Sequence, residues 1–153
     1  MEYISHSEAE TEAFGERLAA ALSPGAVVAY RGGLGMGKTA FTRGLARGLG
    51  CRGRVTSPTF TIVNEYLGKR ELIHFDMYRL ASADELWDIG WEDYLDRGGL
   101  CVVEWSERVS GALEAPVTVT IEKSPHGENQ RKITIEGVPL SLIHISEPTR
   151  LQL

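Results

Sequence analysis

The spacing of apolar residues divides the chain into alternating helices and strands. In the first segment apolar residues recur every four positions, at Phe14, Leu18 and Leu22. This spacing predicts a helix with one buried stripe, and the capping-box pair Ser7 and Glu10 marks its start. Pro24 and Gly25 end the helix. The apolar run "AVVAY" at 26–30 then has the β-branched centre of a strand that is buried on both faces.

The rest of the chain continues this alternation. A second helix is predicted from Lys38 to Leu49, with Gly50 as its stop. A third, acidic helix is predicted from the capping box of Ser82 and Glu85 to about Leu95. The remaining apolar or alternating runs predict five further strands, at 59–67, 71–78, 100–105, 117–122 and 131–137. The first two of these form a hairpin. We therefore predict an α/β fold with a mixed sheet, whose central strands are parallel and whose last two strands are antiparallel.

Composition and charge narrow the class of protein. The 153 residues are 42% hydrophobic and 24% charged, as expected for a single globular domain, which we place at 1–140. The net charge of -5 does not favour free nucleic acid or an anionic membrane. No apolar run approaches the roughly 18 residues of a membrane span, and the first ten residues lack the features of a signal peptide, so we expect a cytoplasmic protein. Residues 141–153 resemble translated adapter sequence and are expected to be non-native or disordered.

The glycine-rich segment "GGLGMGKT" at 32–39 matches the phosphate-binding pattern G-x-x-x-x-G-K-[ST], and it lies between a predicted strand and a predicted helix. Glycines allow backbone N–H groups to approach phosphate oxygens closely. Lys38 would place its charge at the β- and γ-phosphates, and Thr39 would offer a hydroxyl to Mg²⁺. The alternative is a flexible strand-to-helix turn. The residues predicted here to bind nucleotide are Gly33, Leu34, Gly35, Met36, Gly37, Lys38, Thr39 and Ala40.

Two acids end apolar strands, Asp76 after "LIHF" and Glu104 after "LCVV". Ligands gather at the carboxyl ends of strands in open α/β sheets, so both acids are predicted to face Mg²⁺ and the γ-phosphate. The alternative for either acid is a solvated strand end. The turn at 57–59 carries hydroxyls that either meet the γ-phosphate or belong to an ordinary turn. No N-K-x-D or T-K-x-D pattern is present, which leaves adenine as the base by elimination.

Four segments together carry a family resemblance: "GGLGMGKTAFTRGLARGLG", "SPTFTIVNEY", "HFDMYRL" and "VEW". In this order and spacing they resemble the TsaE family, the small ATPase of the bacterial tRNA threonylcarbamoyladenosine machinery. The resemblance spans 7–137 and implies a P-loop NTPase fold, with ATP and Mg²⁺ as cofactors. It also implies a cytoplasmic ATPase that binds a complex of two sugar-kinase-fold proteins and hydrolyses ATP so that the complex turns over. We expect a monomer or weak self-association, no membrane, and at most indirect or weak contact with tRNA.

The resemblance also implies roles for single residues. Lys38 and Thr39 would bind phosphate and Mg²⁺, and Glu104 resembles the second metal-linked acid of the family. Asp76 resembles the essential strand-end aspartate, which we place near the attacking water. Thr59 resembles the switch threonine that meets the nucleotide. The catalytic set is therefore Lys38, Asp76 and Glu104, with Thr39 and Glu104 at the metal.

Several further side chains have two interpretations. His74 lies on the same side of its strand as Asp76, so it either pairs with that acid or is a packed core histidine. Arg43 and Arg47 lie one helical turn apart and either face tRNA or an acidic partner, or form a solvated face. Arg43 and Arg79 are candidates for an arginine that completes the site.

Two other functions use the same phosphate loop. A small-molecule kinase would employ one strand-end acid as the base for an acceptor hydroxyl. A binding switch would change its partner affinity with ATP while hydrolysing very little. We expect an ATPase that is slow alone and faster with its partner complex.

Overall fold

The computed structural model describes residues 1–31, 37–52, 55, 63–77, 80 and 84–138, apart from the side chains of Arg108 and Ser110. The strands are β1 Glu2–Ser5, β2 Val27–Arg31, β3 Val63–Tyr66, β4 Leu72–Asp76, β5 Leu100–Glu104, β6 Val117–Lys123 and β7 Arg131–Glu136. The helices are α1 Glu8–Ala21, α2 Lys38–Gly48, α3 Asp84–Asp88, α4 Trp91–Asp96 and a 3-10 helix, Ser106–Ala112.

The seven strands form one mixed sheet in the order β1-β7-β6-β2-β5-β4-β3. At its centre β2 pairs in parallel with β5 and with β6, and β5 pairs in parallel with β4. The outer pairs, β1 with β7, β6 with β7 and β3 with β4, are antiparallel. The prediction of a mixed α/β sheet with a parallel centre and an antiparallel late pair is therefore confirmed.

Helices cover both faces of the sheet, which explains the apolar central strands. In β2, Val28 packs into a core with α1 and α2, whereas its neighbour Val27 packs into a second core with α3 and α4. The same division recurs in β5, where Val102 and Val103 belong to different cores. Successive strand residues point to opposite faces, so a strand with apolar residues at every position is one that two helical layers enclose.

The structure differs from the predicted elements in several places. The third helix is not continuous, because Gly90 has φ +85 and separates α3 from α4. A residue in this left-handed region does not continue a right-handed helix. The strand predicted at 100–105 ends at Glu104, since Trp105 has φ +58. The short strand β1, which pairs with β7, was not predicted at all.

Two further properties concern the cysteines and the helices of the described ranges. Cys51 and Cys101 are free thiols. Among the helices of the described ranges, none has the length and apolar character of a membrane-spanning segment.

Candidate functional site

The candidate site lies at the edge of the sheet where the central parallel strands end. Asp76 is the last residue of β4 and Glu104 the last residue of β5, and the two are register partners. Lys38 begins α2, the helix that follows β2 in the chain. Because β2, β4 and β5 are parallel, their carboxyl ends meet at this edge. The predicted catalytic residues are therefore brought together by the topology.

Lys38 is largely buried, with 7% of its surface exposed. Its Nζ lies 5.9 Å from the ring centroid of Trp105, within the range of a cation–π contact. Burial lowers the pKa of the Lys38 ammonium below its ordinary value. Three nearby carboxylates act in the opposite direction and favour the charged form: those of Glu104, Glu107 and Asp76. The lysine charge is thus held among acids and away from bulk water.

A buried hydrogen-bond chain ties the start of α2 to the ends of β2 and β5. The Thr42 hydroxyl donates to the Lys38 carbonyl at 2.8 Å and lies 2.7 Å from the Tyr30 hydroxyl. The Ser106 hydroxyl donates to the Tyr30 carbonyl at 2.8 Å. Burial holds the pKa of Tyr30 well above its ordinary value, so the phenol keeps its proton. Thr42 and Ser106 were not predicted, although the four-residue spacing from Lys38 to Thr42 suits such a bond within a helix.

The sequence predicts phosphate binding at the amino terminus of α2. Gly37 is its N-cap residue, and its φ of +103 lies in the left-handed region that glycine adopts without strain. Thr39 is exposed in the first turn, whereas Ala40 is buried. The first N–H groups of a helix have no partner within it, and with the helix dipole they favour a negative charge. Gly33, Leu34, Gly35, Met36 and Thr59 lie outside the described residues.

A small cavity of about 110 Å³ adjoins this helix terminus. The residues that line it lie at or just before the starts of α1, α2 and β7: Ser7, Glu8, Thr11, Gly37, Ala40, Asn129 and Arg131. The sequence carried no signal for this cavity, because its walls are far apart in the chain.

His74 pairs with Glu104 and not with Asp76. Its Nε2 lies 2.6 Å from Oε2 of Glu104, and the residue is buried. The sequence suggested either a pair with Asp76 or a packed histidine. The ring is indeed packed, and the acid that it contacts is the one on the neighbouring strand.

The arginines of α2 form ion pairs with α1. Arg43 lies 3.5 Å from a carboxylate oxygen of Glu12, and Arg47 lies 2.7 Å from the other. Glu8 and Glu16 extend this row of pairs. These ion pairs agree with a solvated face, and contact of the arginines with tRNA or an acidic partner stays a prediction. Arg43 is turned towards α1, and Arg79 lies outside the described residues.

These observations define a class: an α/β protein with a mixed sheet, in which one buried lysine and two acids lie where the central parallel strands end. Comparison with known families agrees with this class. Residues 5–133 match the family described as threonylcarbamoyl adenosine biosynthesis protein TsaE. The chain belongs to the TsaE family.

Individual relatives support the assignment over most of the chain. A protein from Treponema pallidum named tRNA threonylcarbamoyladenosine biosynthesis protein TsaE is 42% identical over 135 residues, which cover 88% of this chain and 99% of the relative. The protein of the same name from Bacillus subtilis is 40% identical over 131 residues, with 84% and 80% covered. The crystal structure of Bacillus subtilis YdiB is similar with a TM-score of 0.74 at 31% identity, and the match covers 100% of this chain and 96% of that one.

Proposed function

We propose that the protein is a Mg²⁺-dependent ATPase with a P-loop that supports threonylcarbamoyladenosine modification of tRNA. It binds a partner complex of two sugar-kinase-fold proteins in this machinery, and ATP hydrolysis lets that complex turn over. The observation that carries the proposal is the convergence of Lys38, Asp76 and Glu104 at one edge of the sheet. The names of the relatives supply the pathway.

The phosphates of ATP would bind at the amino terminus of α2. The glycine-rich segment and the first N–H groups of α2 donate to phosphate oxygens, and Lys38 places its charge at the β- and γ-phosphates. A bound phosphate would add a negative charge beside Lys38 and oppose the lowering of its pKa by burial. The cavity beside Gly37 and Ala40 offers room for part of the nucleoside. Thr59 would meet the γ-phosphate from the segment that follows α2.

Thr39 and Glu104 fit the requirements of Mg²⁺. Thr39 is exposed at the start of α2, and Glu104 is partly exposed at the end of β5. Both offer oxygen, the donor that Mg²⁺ prefers, and this ion usually takes only a few protein ligands beside phosphate oxygens and water. When bound, the ion would neutralise charge that develops on the phosphates. Asp76, the register partner of Glu104, would orient the attacking water.

Hydrolysis is expected to be slow in the isolated protein. Catalysis of phosphoryl transfer depends on positioning and on added positive charge, which an arginine often supplies. Arg43, one of the two predicted candidates, is paired with Glu12 of α1. We therefore expect the partner complex to raise the rate by completing the site.

The test is steady-state ATP hydrolysis by the full chain, alone and with the purified partner pair and tRNA. We expect slow hydrolysis that rises with the partners and is lost in Lys38→Ala and in Glu104→Gln. Glu122→Gln is the matched control, because Glu122 is an exposed acid on β6 outside the site. It should hydrolyse ATP like the wild type.

Other results would favour the rival functions. Phosphate transfer from ATP to a small acceptor would indicate a kinase. Tight ATP binding without stimulated hydrolysis, together with full support of tRNA modification by Glu104→Gln, would indicate a binding switch.

A further inference from the structure

We propose that His74 is a positioning residue, which holds the Glu104 carboxylate in the orientation that binds the metal. This inference rests on the proposed function, in which Glu104 is a ligand of Mg²⁺. The carrying observation is the 2.6 Å contact between His74 Nε2 and Glu104 Oε2. It joins the middle of β4 to the last residue of β5.

The register of β4 and β5 places the His74 imidazole two residues before the acids at the strand ends. His74 is the register partner of Val102, and two residues further on Asp76 is the partner of Glu104. Residues two apart on a strand share a face, so all four side chains lie on the face that α2 covers. His74 is therefore a buried polar side chain between Asn64 of β3 and Val102 of β5, one step behind the two acids. A packing role alone would not require an imidazole at this position.

The hydrogen-bond geometry assigns the proton. An ionised Glu104 can only accept, so Nε2 of His74 donates to Oε2. The other ring nitrogen, Nδ1, is buried and has no hydrogen-bond partner among the described residues. The bond engages Oε2 and leaves Oε1 of Glu104 for a metal ion.

The neighbouring acid makes such a restraint useful. Strands in a sheet lie about 4.8 Å apart, so the carboxylates of Asp76 and Glu104 begin from adjacent backbone positions. Like charges this close repel, and an unrestrained Glu104 would turn away from Asp76. A donor from His74 holds one Glu104 oxygen and allows each acid a separate task, one at the metal and one at the water. Groups that orient a metal ligand in this way typically change metal affinity by about 10- to 100-fold.

The experiment measures metal affinity instead of activity. Binding of Mn²⁺, a paramagnetic substitute for Mg²⁺, is followed by electron paramagnetic resonance with the full chain and a non-hydrolysable ATP analogue. His74→Leu removes the donor and should weaken Mn²⁺ binding by about 10-fold or more. His74→Gln retains an N–H donor of similar reach and should recover most of that loss. Affinity for the nucleotide without metal should stay within about threefold in both variants, which also shows that they are folded.

The outcomes separate this inference from the function on which it rests. Wild-type affinity for Mn²⁺ in His74→Leu, or equal losses in His74→Leu and His74→Gln, would overturn the positioning role. Failure of the wild type to bind Mn²⁺ with the nucleotide would instead overturn the proposed function. Thr39→Ala, which removes a predicted metal ligand outside this pair, supplies the positive control for weakened metal binding.

Discussion

Single residues around Lys38 adopt backbone conformations that side chains rarely take. Gly37, directly before the lysine, has φ +103, and Trp105, directly after Glu104, has φ +58. A non-glycine residue in this region costs on the order of 1 kcal/mol and is most often retained at functional sites. At Trp105 the unusual turn places the indole near the Lys38 ammonium. Glycine at 37 avoids the corresponding cost at the start of α2.

We predict that Gly37→Ala weakens ATP binding. The nearest atom to the added Cβ, Ile121 Cγ2 at 3.4 Å, is at ordinary contact distance, so the strain comes from placing alanine at φ +103 at the start of the helix. The control is Gly98→Ala, since Gly98 has φ +77 and no atom within 4 Å of an added Cβ. Both variants should lose about 1 kcal/mol of unfolding free energy. Equilibrium binding of a fluorescent ATP analogue should fall about 10-fold or more in Gly37→Ala alone, and equal affinities in the two variants would contradict the prediction.

At the scale of elements, α2 is held against α1 by unusually close packing. Gly15 of α1 and Gly44 of α2 lie where a Cβ would overlap the backbone carbonyl oxygens of Phe41 and Glu12, respectively. The ion pairs of Arg43 and Arg47 with α1 lie beside this close contact between the two helices. Exposed pairs of this kind contribute little each, typically 0 to 1 kcal/mol. The close approach of the two backbones therefore fixes the position of α2, and with it the position of Lys38.

We predict that Gly44→Ala destabilises the protein by about 1 to 3 kcal/mol, as overpacking of a tight interface does. Alanine ordinarily stabilises a helix relative to glycine by about 1 kcal/mol, so the sign is the test. Gly111→Ala is the control, because an added Cβ there meets no atom within 4 Å. Urea unfolding should show a change within about 0.5 kcal/mol for the control. A stabilised Gly44→Ala variant would show that the helices can separate freely.

The elements that could be predicted from sequence are those with a clear local period. The stripe of α1 and the apolar run of β2 follow directly from side-chain spacing, and the strand-end rule brought Asp76 and Glu104 together. The contact of His74 with Glu104 could not be predicted, since it depends on the register of β4 against β5. The close contact between α1 and α2 at Gly15 and Gly44 could not be predicted either, because the spacing of glycines within one helix does not identify the helix that it faces.

At the scale of the whole molecule, the core contains a thiol on the face of the sheet opposite α2. Cys101 is fully buried in β5, and burial raises its pKa to about 12 from an ordinary 9.0. The folded state therefore keeps this proton at pH values where the unfolded chain loses it. The corresponding stabilisation is fully present below pH 9 and is lost as the pH rises towards 12.

We predict that the free energy of unfolding falls as the pH rises above 9, with a contribution from Cys101 of up to about 1.4 kcal/mol per pH unit. In Cys101→Ala this dependence should be shallower between pH 9 and 11. Val103→Ala, on the same strand and in the same core, should lower stability without changing the slope. Urea unfolding at several pH values measures both quantities. Parallel pH profiles for Cys101→Ala and the wild type would show that this thiol does not contribute.

The order of strands has a consequence for how the chain reaches its native state. The central strand β2 is made early, yet its two partners are β5 and β6, which begin at Leu100 and Val117. During synthesis both hydrogen-bonding edges of Val27–Arg31 must wait until most of the chain has been made. Such long-range parallel pairing slows folding and leaves apolar edges open to aggregation. The α1–α2 pair is local in sequence and can form first, so it can cover one face of β2 before the partner strands of β2 are made.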